Sequence, residues 1–183
     1  MLPRAELAPR LFSVDTFLSV ASKREVRDYA GRPLPADAEH RILQAGRIAG
    51  SSRNRQPWRF VVVESPSLRE RLAEAVYAPA NVRSAALVVV IALHGRGPTA
   101  FDAGRASQNM ILTAWNERIG SCPNGMPDPD AVARLLDLRE DERPITVLTF
   151  GYPMRTRDPE RHTAIEWIER ADRKPFDEVV ERL

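Results

Sequence analysis

The sequence predicts a mixed helix-and-strand fold in which a small central sheet is covered on both faces. Three observations carry that expectation. Apolar, β-branched runs of strand length occur at residues 60–63, 86–93 and 145–150. Stretches with helical spacing of apolar residues separate them, so helices lie over the sheet. The chain of 183 residues is 43% hydrophobic and 28% charged, enough for one sizeable core. It has no internal repeat and no second composition regime, so residues 1–183 are expected to form a single domain.

The elements follow in order. Leu11, Val14, Leu18 and Ala21 mark a helix with one buried face, ending near Ser22. Gly31, Arg32, Pro33, Leu34 and Pro35 form a breaker-rich loop, with Pro35 suited to the first turn of the next helix. Ala38, Ile42, Ala45 and Ala49 are its inner stripe, and Gly50 is expected to end it. Residues 60–63 read as a strand buried on both faces. Ser65 and Pro66 open a short helix to Ala75 or Val76, which residues 77–81 break. Residues 86–93 form the second strand. Thr99 and Asp102 suggest a capping box on a helix reaching about Arg118. Residues 121–125 read as a short extended segment or turn. Asp128, Pro129 and Asp130 start a helix to Leu138, and residues 145–150 are the third strand. Residues 155–183 are charged and weakly periodic, a tail that suits wrapping over a partner subunit.

Several function classes drop out. The longest apolar run is strand-sized, so no membrane span is expected, and no signal peptide is read at the N-terminus. Cys122 is the one cysteine, which excludes an internal disulfide and suits a reducing cytoplasm. No strand leads into Gly-x-Gly-x-x-Gly or a phosphate loop, and no Gly-x-Ser-x-Gly is present. His40, His94 and His162 lack metal-ligand spacing, so no metal site is expected.

Charge is uneven although the net value is only +2. Residues 22–59 carry nine Lys or Arg against four Asp or Glu, whereas residues 60–154 carry nine against eleven. A local excess suits a specific anion better than a polyanion surface, and no stacking aromatics interleave it, so nucleic acid is not expected. Lys23, Arg24 and Arg27 could grip a phosphate; they also read as a solvated surface paired with Glu25 and Asp28. Ser51, Ser52 and Asn54 could meet the polar edge of a heteroaromatic ring, or simply cap the loop. Cys122 reads as a buried thiol. An anion site and a polar cradle without an obvious acid, base or metal suggest that a cofactor does the chemistry.

Taken in order, these stretches resemble the FMN-dependent nitroreductase family. Lys23, Arg24, Glu25, Val26, Arg27, Asp28 and Tyr29 are similar to its basic N-terminal segment. Residues 49–58 are similar to its Ala-Pro-Ser-x-x-Asn-x-Gln-Pro-Trp stretch, the most specific match. Residues 86–90, the helix around Gln108 and Asn109, Gly151 to Pro153 and finally Arg173 to Phe176 follow at suitable spacing. The resemblance implies an α+β three-layer fold, its small, mainly antiparallel sheet flanked by helices, in an intertwined homodimer. It implies FMN as cofactor and NADH or NADPH as reductant. Hydride would pass through flavin N5, ping-pong fashion, to a small-molecule acceptor such as a nitroaromatic or quinone, with no catalytic side chain. Lys23, Arg24 and Arg27 would meet the phosphate and ribityl chain, with Arg173 and Lys174 closing over it. Ser51, Ser52 and Asn54 would reach the flavin from the other subunit, beside Gly50. Asn81 would sit at the pyrimidine edge, and Pro123, Asn124 and Gly125 near N5.

Three departures stand out. Glu25 occupies a usual Ser position, where it could accept from a ribityl hydroxyl or hold Arg24. Gly50 replaces a usual Pro. About five residues join the second strand to the central helix, where many members carry a longer roof, so an open pocket is expected. Flavin-cleaving oxygenases and deazaflavin users share related segments and are the alternative; a non-catalytic flavin-binding protein is a second.

Overall fold

The computed structural model describes residues 15–183. The described residues cluster into two compact units, Arg24–Arg157 and residues 15–23 with Asp158–Leu183. Leu11 and Val14 of the expected first helix lie outside the described residues.

The larger unit is built on four antiparallel strands, β1 (Trp58–Val62), β2 (Leu87–Leu93), β3 (Gly120–Asn124) and β4 (Arg143–Gly151), in the order β1-β2-β4-β3. Every residue of β2 is buried, as expected of an unbroken apolar run with neighbours on both sides. Its side chains alternate between two cores. Leu87, Val89 and Ile91 join Ala38 and Ile42 of α2 (Ala36–Arg47) and Ala103, Ala106 and Met110 of α5 (Thr99–Asn116). Val88 and Val90 join Leu72 of α3 (Pro66–Glu74), Val82 of α4 (Pro79–Ser84) and Val132 of α6 (Pro129–Leu135). The sheet is thus the middle of three layers, as the sequence predicts, and each fully buried aliphatic side chain contributes about 1.5–3 kcal/mol. Gly46 sets the approach of α2 to α5, because a Cβ there would lie 2.7 Å from Met110 Sδ.

Several local expectations are corrected. β1 is an edge strand, so Phe60, Val61 and Val62 are only half-buried. Of the two readings of residues 121–125, the extended one holds: most of them belong to β3, whose pairing with β4 overrides the weak strand propensity of glycine and proline. Pro79 starts α4, since proline at the first helical position loses no needed hydrogen bond. Helix α2 ends at Arg47, short of Gly50, and Pro35 directly precedes it. Thr99 does not cap α5; Pro98 precedes that helix, and the buried Asp102 carboxylate turns to a loop instead. Asp128 does cap α6, accepting from the Ala131 N–H at 3.0 Å, although that helix stops at Leu135.

In the smaller unit, α1 (Thr16–Ser22) is capped by Asp15. The tail holds α7 (Ala164–Glu169) and α8 (Phe176–Val179). Thr163 and Glu166 form a capping box on α7, and the Trp167 indole N–H donates to the Pro159 carbonyl at 2.7 Å. Ile165, Phe176 and Val179 are exposed.

Candidate functional site

The basic segment is fastened to the far edge of the sheet. The Val26 N–H donates to the Ser121 carbonyl at 3.0 Å, and the Ala30 N–H to the Tyr152 carbonyl at 2.8 Å. Glu25 and Tyr29 form isolated bridges with Ser121 and Pro153. Two glycines make room for this crossing. A Cβ on Gly120 would lie 2.6 Å from Val26, and one on Gly151 would lie 2.8 Å from the Tyr29 ring. Val26 and Tyr29 are therefore buried, whereas Glu25 and Arg27 face solvent and Arg24 is half-buried. Glu25 thus points outward on the same side as Arg27.

Beneath the crossing runs a buried polar network. The Tyr29 hydroxyl lies 2.9 Å from Thr149 Oγ1, which donates to the Cys122 carbonyl at 3.0 Å. Asn124 Nδ2 donates to the Cys122 and Val147 carbonyls at 3.2 and 3.3 Å. Asn81 Nδ2 donates to Asn124 Oδ1 at 3.0 Å. Burial pushes the Tyr29 phenol well above its ordinary range. Asn81 and Asn124, both expected at the ring edge, are thus buried and bonded to each other. Their neighbours Pro123 and Gly125 remain exposed.

The polar loop is anchored elsewhere, on the start of α5. The Ser52 N–H donates to Asp102 Oδ2 at 2.9 Å, and the Gln56 N–H to Ser51 Oγ at 2.8 Å. Arg53, Asn54 and Gln56 have φ values of 53°, 55° and 51°. Three left-handed non-glycine residues so close together are uncommon, and such strain gathers at functional sites. Arg53 and Asn54 are exposed at the tip; Ser51 and Ser52 are half-buried. The Arg105 guanidinium lies over Gly50, its Nη2 2.6 Å from where a Cβ would sit.

The structure therefore brings Arg24, Glu25, Arg27, Asn81, Pro123, Asn124 and Gly125 to the β3 edge of the sheet. Gly50, Ser51, Ser52 and Asn54 form a separate cluster on α5. Lys23, Arg173 and Lys174 belong to the smaller unit, where Arg173 and Lys174 are exposed and Arg173 Nη1 donates to the Ala171 carbonyl at 2.8 Å. Two neighbours of these clusters were not singled out from sequence. The Tyr77 N–H donates to the Gly125 carbonyl at 3.1 Å, and its exposed ring lies against the Gly125 Cα. A lone aromatic ahead of Asn81 was the only signal for it. Asp102 holds the polar loop, and its pairing across fifty positions leaves no local signature.

Known proteins share this architecture. The family model described as Nitroreductase family matches residues 20–92 and 80–152. The NADH dehydrogenase of Thermus thermophilus is 36% identical, over 85% of this chain and 95% of that protein. Two solved structures show the same fold. A nitroreductase family protein from Clostridium difficile has a TM-score of 0.75 at 22% identity, covering 92% of this chain and 98% of its own. The NADPH:FMN oxidoreductase from Vibrio harveyi, complexed with NAD+, has a TM-score of 0.76 at 24% identity, covering 90% and 75%. With its fold and most of its length matched, the chain belongs to the nitroreductase family.

Proposed function

We propose that this protein is an FMN-dependent oxidoreductase that takes reducing equivalents from NADH or NADPH and delivers them to a small-molecule acceptor, a nitroaromatic or quinone. Relatives named NADH dehydrogenase and NADPH:FMN oxidoreductase support that reading. The observation that carries it is the stitching of Glu25 and Val26 onto Ser121 of β3, the strand that leads through exposed Pro123 to Gly125, with Arg24 and Arg27 flanking the stitch.

The donor set fits a flavin mononucleotide. Guanidinium groups at Arg24 and Arg27 suit its phosphate. Outward-facing Glu25 can accept from a ribityl hydroxyl. The exposed Gly125 segment, without a side chain of its own, would hold the ring edge. Asn81 and Asn124 brace that segment from below rather than reaching the ring themselves. The Tyr77 ring walls the same place and offers a face to an aromatic acceptor. FMN, when bound, supplies the hydride chemistry; the chain's residues bind, orient and shield, and none need act as acid or base.

Ser51, Ser52 and Asn54 stand on α5, apart from the basic segment, and this suits a homodimer in which they reach the partner's flavin. The exposed Phe101 of α5 and the exposed apolar residues of the tail suit burial in that interface, the tail wrapping the partner. No described helix is long and apolar enough to cross a membrane, and the buried free thiol of Cys122 suits the cytoplasm.

The test is titration of flavin-stripped protein with FMN. One FMN per chain and a dimer by light scattering are expected. Arg27→Gln should weaken FMN about 10- to 100-fold, the value of one or two charge-assisted hydrogen bonds. Failure to bind FMN would overturn the proposal.

A further inference from the structure

We infer that the polar loop, the 94–98 turn and the start of α5 form a second anion site, distinct from the basic segment, that takes the phosphate groups of the nicotinamide dinucleotide. The inference rests on the flavin reading above. Residues 50–56 and 94–105 together hold four arginines, Arg53, Arg55, Arg96 and Arg105, and a single carboxylate, Asp102. Backbone contacts tie Arg55 to the 94–98 turn and Arg105 to the polar loop. Arg55 Nη1 donates to the Arg96 carbonyl at 3.1 Å and lies 2.9 Å from where a Gly97 Cβ would sit. The Arg105 guanidinium lies across Gly50, at the root of the same loop.

The cations are poorly neutralised. Among the described residues Arg53, Arg55 and Arg96 have no carboxylate within ion-pairing distance. Arg105 has only Asp102, at 3.9 Å, and that carboxylate already accepts from Ser52. The Arg105 side chain makes no hydrogen bond among the described residues; its guanidinium lies 5.9 Å from the Phe101 ring centroid and is about half exposed. Four like charges on adjoining loops repel one another unless an anion joins them. Guanidinium groups suit phosphate because their paired donors match its oxygens. The location narrows the source. The patch adjoins the loop assigned to the flavin. A dinucleotide entering over the flavin there would lay its phosphates on these arginines.

The test compares flavin-loaded wild type with Arg55→Gln/Arg96→Gln and with Arg105→Gln, using Arg71→Gln, an exposed arginine on α3, as a charge control. NADP+ and NAD+ binding is measured by calorimetry at low and high salt, with KM for NADPH and NADH and flavin content alongside. The double variant should weaken dinucleotide binding tenfold or more and flatten its salt dependence, with flavin content and the Arg71→Gln control unchanged. A loss confined to NADP+ and NADPH assigns the 2′-phosphate; a loss shared with NAD+ and NADH assigns the diphosphate. Unchanged affinity for both dinucleotides overturns the inference. So does loss of flavin with dinucleotide binding intact, which would make these arginines part of the FMN site. Absence of flavin from wild type would instead defeat the proposed function.

Discussion

The end of β3 and the 50–56 loop are both polar, yet they are built in opposite ways. At β3 the side chains of Asn81, Asn124, Thr149 and Tyr29 are buried and satisfy one another. In the loop, hydrogen bonds through Ser51 and Asp102 hold the backbone in left-handed conformations and leave Arg53 and Asn54 outside. One region spends its polar groups on holding a shape; the other holds its shape so that polar groups stay free. A residue's type alone does not separate these uses, because an asparagine serves in each.

Mutations can break the contrast. The largest effect is expected from Asn124→Ala, which strands the Asn81 amide in a buried site. It should cost about 3 kcal/mol, lowering the melting temperature by roughly 6–12 °C in calorimetry, with flavin retention falling in step. Asp102→Ala should cost about 2 kcal/mol by releasing the Ser52 N–H. Its signature is a loop made sensitive to proteolysis near Arg53 while the β3 end stays protected.

Tyr29→Phe should cost about 1 kcal/mol at neutral pH. The buried phenol has a raised folded-state pKa, so its contribution is complete below the ordinary value of 10.0 and is lost as pH rises through the raised one. The wild type should therefore lose stability on the alkaline side more steeply than the variant, as alkaline denaturation will measure. The smallest stability effect belongs to Asn54→Gly. Relief of the left-handed backbone offsets the greater freedom of the unfolded chain, leaving a change within about 0.5 kcal/mol. FMN affinity should nevertheless fall several-fold if Asn54 reaches the flavin.

Much of the fold was legible because β2 announces itself by seven consecutive apolar residues and α2 by a regular stripe. β3 was legible only as an extended segment or turn, because Gly120 and Pro123 are poor strand formers and the segment is held by β4 and the basic segment. The edge position of β1 was hidden for a related reason: strand order depends on pairings that local periodicity does not encode. At the site, charge density marked residues 23–27 and the polar run marked residues 50–56. The burial of Asn81 and Asn124 depends on their meeting across 43 positions, which no spacing reveals.

The most direct test of the account is the visible spectrum of the purified protein under argon, before and after NADH or NADPH. The account predicts a yellow protein whose flavin absorbance bleaches on adding one of the nucleotides and returns on adding a quinone. Protein that stays colourless in the presence of FMN, or bound flavin that neither nucleotide bleaches, would contradict it.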